Sequence, residues 1–153
     1  MNELNTPELE QLKQHLEYRA DETIRNLVPF FDVKMFELES SAIPSEIIVK
    51  AFPRSNLEKA QIVERTPNAF NEGIIDFFSH LESTNQQAQF RVAYEFLEAV
   101  ESCIDYEQSK IWEYLASDSR FDGLYDFIGW GFTYIIVDEN KRRCLVIHGG
   151  YCD

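Results

Sequence analysis

Cys144, His148 and Cys152 recur at four-residue spacing, and thiolate and imidazole are the ligands that zinc favours. In an extended strand all three would project from one side. Successive side chains would then stand about 13 Å apart, since the rise is about 3.3 Å per residue. One ion cannot bridge that span unless the chain turns back at Gly149-Gly150. Thiols beside a hydrogen-bonded histidine fit the spacing better, and no metal is expected. Two Cys–His pairs could also be drawn as nucleophile and base, Cys103 with His80 and Cys144 with His15. An attacking thiol needs a basic neighbour or a helix N-terminus to lower its pKa. Glu101 and Asp105 flank Cys103 and act the other way. Glu72, Asp76 and His80 would share a helical face, a pattern that suits solvated surface. The chain contains no P-loop, GxGxxG, HExxH, CxxC or GxSxG pattern. No catalytic residue or cofactor is therefore assigned, and a small Cys/His-dependent enzyme stands behind two binding readings.

Those readings begin with charge. The 153 residues carry 14 basic and 27 acidic side chains, a net charge of −13, yet 44% are hydrophobic and 14% aromatic. That apolar content is too high for a disordered acidic tail. A folded domain with such a surplus repels itself, and a basic partner is the simplest compensation. Nine acids fall between Glu95 and Asp126 (Glu95, Glu98, Glu101, Asp105, Glu107, Glu113, Asp118, Asp122, Asp126) against Lys110 and Arg120, a local charge of −7. On a helix Glu98, Glu101 and Asp105 share a face, and Asp118, Asp122 and Asp126 would align likewise. Aromatic residues lie among them, and Tyr106, Tyr125 and Trp130, each next to an acid or a glycine, are the ones expected at the surface. Tyr and Trp anchors within a polar rim are typical of protein interfaces. Excess negative charge disfavours nucleic acid and anionic membranes as ligands. Beside Asp138 and Glu139, the basic trio Lys141-Arg142-Arg143 is expected to form ion pairs at a hairpin tip.

The elements that would hold these groups describe one α+β domain over residues 1–153: a mostly helical body on a small antiparallel sheet that includes a C-terminal β-hairpin. Asn5 or Thr6 can cap a first helix, with Pro7 in its first turn and Leu9, Leu12, Leu16, Ala20, Ile24 and Leu27 as its apolar stripe up to Pro29. Phe31 to Leu38 carries a strand signal. Short helices are expected around Ser45–Phe52, from Ser55 or Asn56 through Val63, and from Asn68 with Phe70, Ile74, Phe77, Phe78 and Leu81 inward. The Gly- and Pro-free stretch from Thr84 to Ala116 reads as helical. Phe90, Ala93, Tyr94, Leu97, Val100 and Ile104 fall on its inner side, Ile111, Trp112 and Leu115 continue it, and a break fits near Ser102–Asp105. Phe132–Val137, the turn Asp138–Lys141 and Cys144–His148 form the hairpin, which needs the Phe31–Leu38 strand or a helix against it to be stable. The acidic, polar N-terminus has no leader character, and the longest apolar run, Phe132–Val137, falls far short of the ~20 residues that span a bilayer. A cytoplasmic protein with reduced thiols is expected.

The segment Gly129-Trp130-Gly131-Phe132-Thr133-Tyr134-Ile135-Ile136-Val137, followed by Cys144-Leu145-Val146-Ile147-His148-Gly149-Gly150, resembles the C-terminal hairpins of small acidic immunity proteins from bacterial contact-dependent inhibition and polymorphic-toxin systems. The likeness covers about a fifth of the chain, with charge and size matching elsewhere, and it transfers no residue. It implies a protein that binds one cognate toxin domain, often a basic nuclease, and occludes its active site or a required surface. The contact residues expected on this reading are Glu95, Glu98, Glu101, Asp105, Tyr106, Asp118, Asp122, Tyr125, Asp126 and Trp130. The alternative binder is an acidic DNA mimic or a regulatory adaptor.

Overall fold

The computed structural model describes residues 1–23, 28–41, 43–53, 55, 57–80, 86–116 and 129–152, and of these the side chains of 17–23, 28–30, 59, 86–89, 116, 129–130 and 151–152 are left aside. The fold is α+β. Its elements run β1 (Asn2–Leu4), α1 (Pro7–Thr23), β2 (Val28–Glu37), α2 (Pro44–Ala51), β3 (Ala60–Arg65), α3 (Pro67–Ser79), α4 (Gln86–Cys103), β4 (Lys110–Ala116), β5 (Gly129–Asp138) and β6 (Arg143–Cys152). Six antiparallel strands form one sheet in the order β1-β2-β6-β5-β4-β3. The C-terminal hairpin β5–β6 occupies the middle, and β2 is indeed its third member, pairing with β6 from Val28↔Cys152 to Glu37↔Arg143.

Local chemistry caps the helices, at Thr6 and Pro7 as the sequence suggests and for α3 at Thr66, two residues before the expected Asn68. The Thr6 hydroxyl accepts from the Leu9 amide at 3.2 Å, one turn into α1, and Pro7 occupies the first helical position. Thr66 does the same for α3, accepting from Ala69 N–H at 3.1 Å. The end of α2 is held from outside, where Lys34 Nζ of β2 donates to the Ala51 carbonyl at 2.7 Å. The hairpin turn closes when Asp138 Oδ1 accepts from the Lys141 amide at 3.0 Å and Arg142 takes a left-handed φ of 53°. The expected tip ion pairs take another form. Glu139 pairs with Lys110 of β4 at 3.2 Å, while Lys141 meets Asp138 through its backbone.

Alternation along each strand divides the core into two. One face of the sheet (Val33, Met35, Ile111, Phe132, Tyr134, Ile136, Leu145, Ile147) packs under α1, α3 and α4. The other (Phe36, Leu38, Tyr114, Ile135, Val137, Cys144, Val146) packs under α2 through Ile47, Ile48 and Ala51. The helix-side core is a run of edge-on rings: Phe77 on Phe132 at 4.8 Å, Phe70 on Tyr134 at 4.9 Å and Phe70 on Tyr106 at 5.1 Å. Perpendicular contacts of this kind bring the positive edge of one ring to the negative face of the next.

Two expected helices are strands. Residues 57–63 make a short 3-10 turn, Leu57–Lys59, and then β3. The long helix stops at Cys103, within the expected break, and Lys110–Ala116 is β4. Lys-Ile-Trp-Glu-Tyr-Leu-Ala contains helix-forming Glu, Leu and Ala, but Ile111 goes to the helix-side core and Trp112 and Tyr114 to the α2-side core. Burial on two opposite faces is a period-two demand that a helix cannot meet. With β1, which the sequence also leaves unmarked, the sheet gains three strands beyond those the sequence marks. Pro29 lies inside β2 instead of closing a helix, and Leu81 falls outside the described residues.

Gly149 does not turn the chain. It continues β6 opposite Phe31 and Phe132. A Cβ there would stand 2.7 Å from Phe31 Cδ1 and 2.9 Å from Phe132 Cζ. The two rings therefore close over bare backbone. Gly149→Ala should destabilise the fold by about 1–3 kcal/mol, read as a lower urea midpoint at unchanged m-value. Unchanged stability would show that the rings have room to move.

Candidate functional site

The exposed side of α4 is the surface where apolar and acidic groups meet. α4 is the middle helix of its layer, packed against both α1 and α3. Val92, Ala93, Phe96, Leu97, Val100 and Cys103 point to the sheet. The opposite side carries Phe90, Tyr94, Glu98 and Glu101, at steps of four, four and three, so that they form one stripe. Phe90 is 45% exposed and Tyr94 56%. Both were expected to face inward; the inward side is centred one residue away, on Ala93, Phe96, Leu97 and Val100, and two large rings are left on the outside. Arg91 adds an exposed base near the start of the stripe, and Glu95 is half-buried at its margin.

Toward the end of α4 the carboxylates crowd. No basic residue lies in its last turn, and Glu101, Asp105 and Glu107 follow one another at the negative end of the helix dipole. Partial desolvation raises the Glu101 pKa, the Asp105 charge and a hydrogen bond between the two side chains raise it further, and Glu107 adds to this. Burial raises the Cys103 pKa, with Glu8 in the first turn of α1 adding to it and Ser102 and Arg143 opposing it. Three acids, from α4 and the 3-10 turn after it, thus gather at one end of the helical layer.

Tyr106 is not an anchor. It opens the 3-10 turn Tyr106–Gln108, is only 7% exposed and meets Phe70 edge-on at 5.1 Å. Its neighbours Asp105 and Glu107 in sequence suggested exposure, but the 3-10 turn rotates the ring into the core while Glu107 stays outside. Burial, followed by Glu101 and Glu107, pushes its hydroxyl pKa up. Of the remaining expected contact residues, Glu98 and Glu101 are exposed and Asp105 is half-exposed. Asp118, Asp122, Tyr125 and Asp126 lie outside the described residues, and Trp130 is placed only by its pairing with Tyr151.

The thiol–imidazole pairs do not assemble. Cys144 belongs to the α2-side core, whereas α1, which carries His15, packs on the opposite face of the sheet. α3 and α4 run antiparallel, since Phe78 meets Phe96 at 5.4 Å while Phe70 meets Tyr106 beyond the end of α4. His80, just past α3, therefore sits at the far end of α4 from Cys103. Burial pushes the Cys144 thiol up to about 12 and raises that of Cys103, the reverse of nucleophile activation. His80, exposed, bonds back to the Asp76 carbonyl through Nδ1 at 2.7 Å. Among the described residues no group of three His, Cys, Asp or Glu side chains could hold a metal. Cys144 and His148 lie on a continuous strand, with no return at Gly149-Gly150 to bring them together.

One polar row escaped the sequence reading. Asp32, His148 and Thr133 are register partners on β2, β6 and β5 and so lie side by side on the α2 face. Thr133 Oγ1 and His148 Nδ1 are 2.8 Å apart, and the Phe52 ring sits edge-on to the imidazole at 5.2 Å. Carboxylate, imidazole and hydroxyl in line have the composition of a nucleophilic triad. Thr133 exposes none of its surface, however, and His148 only 3%. The row is legible only once the pairing of strands far apart in sequence is known. Its role here is to satisfy two polar groups within an apolar layer.

Burial lowers the His148 pKa to about 4, against a smaller upward pull from its hydrogen bond with the Phe132 backbone. Its unfolded value is near 6.5. The unfolded chain binds this proton first, so stability is held above about pH 6.5 and lost as pH falls toward 4. This group alone should remove about 2 kcal/mol between pH 7 and pH 5, measured by urea unfolding. His148→Asn should flatten that interval, and an unchanged slope would place the imidazole in contact with water. Cys103 and Cys144 should react with iodoacetamide only as fast as the protein opens, at least about 100-fold slower than in urea. Rapid labelling of either in the folded state would contradict their burial.

No family model matches the chain, and no curated protein matches it. Two crystal structures of citrus MAF1 are similar in fold. One superposes with a TM-score of 0.66 at 10% identity, over 97% of this chain and 98% of that one. The other has a TM-score of 0.61, again at 10% identity, over 90% of this chain and 99% of that one. At this identity the likeness extends to the arrangement of helices and strands alone.

Proposed function

We propose that this chain is a cytoplasmic, immunity-type inhibitor that binds a cognate toxin domain with a basic surface, such as a nuclease, and occludes it. The observation that carries the reading is the outer side of α4, where exposed Phe90 and Tyr94 lead into Glu98, Glu101, Asp105 and Glu107. Exposed rings beside carboxylates supply both parts of a docking surface: anchors that bury area and charges that select the partner. The carboxylates stand where phosphates of a nuclease substrate would be expected to bind the partner's cations. Their crowding at the negative end of a helix opposes the stability of the free protein, and a cationic surface would relieve it. Compared with the contact set read from sequence, Phe90 and Tyr94 take the place of Tyr106.

The proposal expects a toxin domain to be encoded beside this chain's gene, and the test uses that domain. Co-expression should restore growth, and the two proteins should form a 1:1 complex. Its association rate should fall by roughly tenfold or more between 0.05 and 0.5 M salt. Glu98→Gln with Glu101→Gln should slow association, while Tyr94→Ala should speed dissociation by about tenfold, the effect of losing one interface anchor. Association that is flat in salt, or indifferent to all three substitutions, removes the α4 surface from the proposal.

A further inference from the structure

The two edges of the sheet are built differently. On the β2 side, β1 covers Met35–Glu37, and the remainder of that edge contains Pro29, which has no N–H to offer, together with Asp32 and Lys34. Proline and charged residues on an edge are the usual protection against strand addition. On the other side β3 pairs with β4 in unbroken register, from Ala60↔Ala116 to Arg65↔Ile111, and among the described residues nothing pairs with its outer edge. β3 has no proline, lysine or bulge. Its one cation is turned inward, since Arg65 Nε donates to Glu113 of β4 at 2.8 Å. Ile62 is half-buried over Trp112 and Tyr114 in the α2-side core, and Glu64 is exposed on the same face.

We propose that the outer edge of β3 accepts a strand from a basic partner protein, added antiparallel as a seventh strand, with an apolar residue opposite Ile62 and a Lys or Arg opposite Glu64. The unpaired N–H and C=O groups of an edge are complementary to another extended backbone and to little else. Charge decides between occupants. A second copy would bring together two chains of net charge −13. In any two-fold antiparallel register centred on Ile62 or Val63, it would set Glu64 opposite Ala60 or Ile62, with no counter-charge. A cationic strand neutralises Glu64 and extends the Ile62–Trp112 layer by one residue. Because the added strand runs antiparallel, its recognised pattern reads basic-x-apolar from N to C. The basic character of the partner rests on the function proposed above; the location is independent of α4.

The probe is a disulfide-cyclised β-hairpin peptide whose outer strand contains Lys-Thr-Ile, with a Glu-Thr-Ile hairpin as its counterpart. It is added to the full chain, and amide exchange is followed by NMR. The Lys hairpin should slow exchange of the outward β3 amides by roughly tenfold or more. The Glu hairpin should bind up to about fivefold more weakly, as expected for one cross-strand charge pair. Glu64→Lys should reverse that preference without unfolding the protein, since the side chain is exposed. Absence of β3 protection at millimolar hairpin, protection confined to other strands, or equal binding of the two hairpins would overturn the site. Should that happen while the α4 substitutions still slow toxin association, the strand site falls and the inhibitor reading stands. Hairpin binding at β3 with α4 substitutions inert would show the converse.

Discussion

The structure depends on a hairpin buried on both faces. β5 and β6 lie at the centre of six strands, and from Phe132 to Val137 and from Cys144 to His148 every residue is buried. An antiparallel hairpin ordinarily keeps one side in water. This one cannot, and each remaining element answers that requirement. The layer of α1, α3 and α4 covers Tyr134, Ile136, Leu145 and Ile147, while α2 covers Ile135, Val137, Cys144 and Val146. Lys34 ties α2 to the sheet by bonding its last carbonyl and lying 5.2 Å from the Phe52 ring. Thr133 and His148 are the polar exceptions in the centre, and Thr133 Oγ1 meets His148 Nδ1 at 2.8 Å.

Where local signals and burial agree, the sequence is readable. Thr6 and Pro7 and the turn Asp138–Lys141 mark boundaries because each acts within three or four residues, whereas α3 is capped by Thr66, two residues before the expected Asn68. Phe31–Leu38 and the C-terminal hairpin read as strands because β-branched and aromatic residues dominate them. β3 and β4 were hidden because their strand character comes from partners elsewhere: Ile111 and Trp112 sit opposite Ile136 and Ile135, more than twenty residues away. The outer side of α4 was partly visible. Glu98 and Glu101 followed from spacing, whereas Phe90 and Tyr94 were assigned to the wrong side because aromatic residues are normally counted as core. Tyr106 failed for the opposite reason, since acidic neighbours do not determine which way a 3-10 turn points its ring.

The acidic groups are not spread evenly. Glu101, Asp105 and Glu107 converge from α4 and the 3-10 turn, whereas Glu113 pairs with Arg65, Glu139 with Lys110 and Glu10 with Lys13. A chain selected for solubility alone has no need to bring three like charges to the negative end of one helix. This uneven spread of matched and unmatched acids, on the same helix as the exposed rings of Phe90 and Tyr94, is what supports the docking surface proposed above.

The strand order also constrains how the chain is made. β2 is synthesised early, yet its partner β6 comes last, roughly a hundred residues later, which at ribosomal speeds of about 5–20 residues per second is on the order of 5–20 s. During that interval β2 has no partner for its long inner edge, and α1 has no sheet to lie on. Until β6 is made, the apolar residues of β2 lack the neighbouring strand beside which they are buried in the fold. A truncation removing only β6 would take the keystone out of the middle of the sheet.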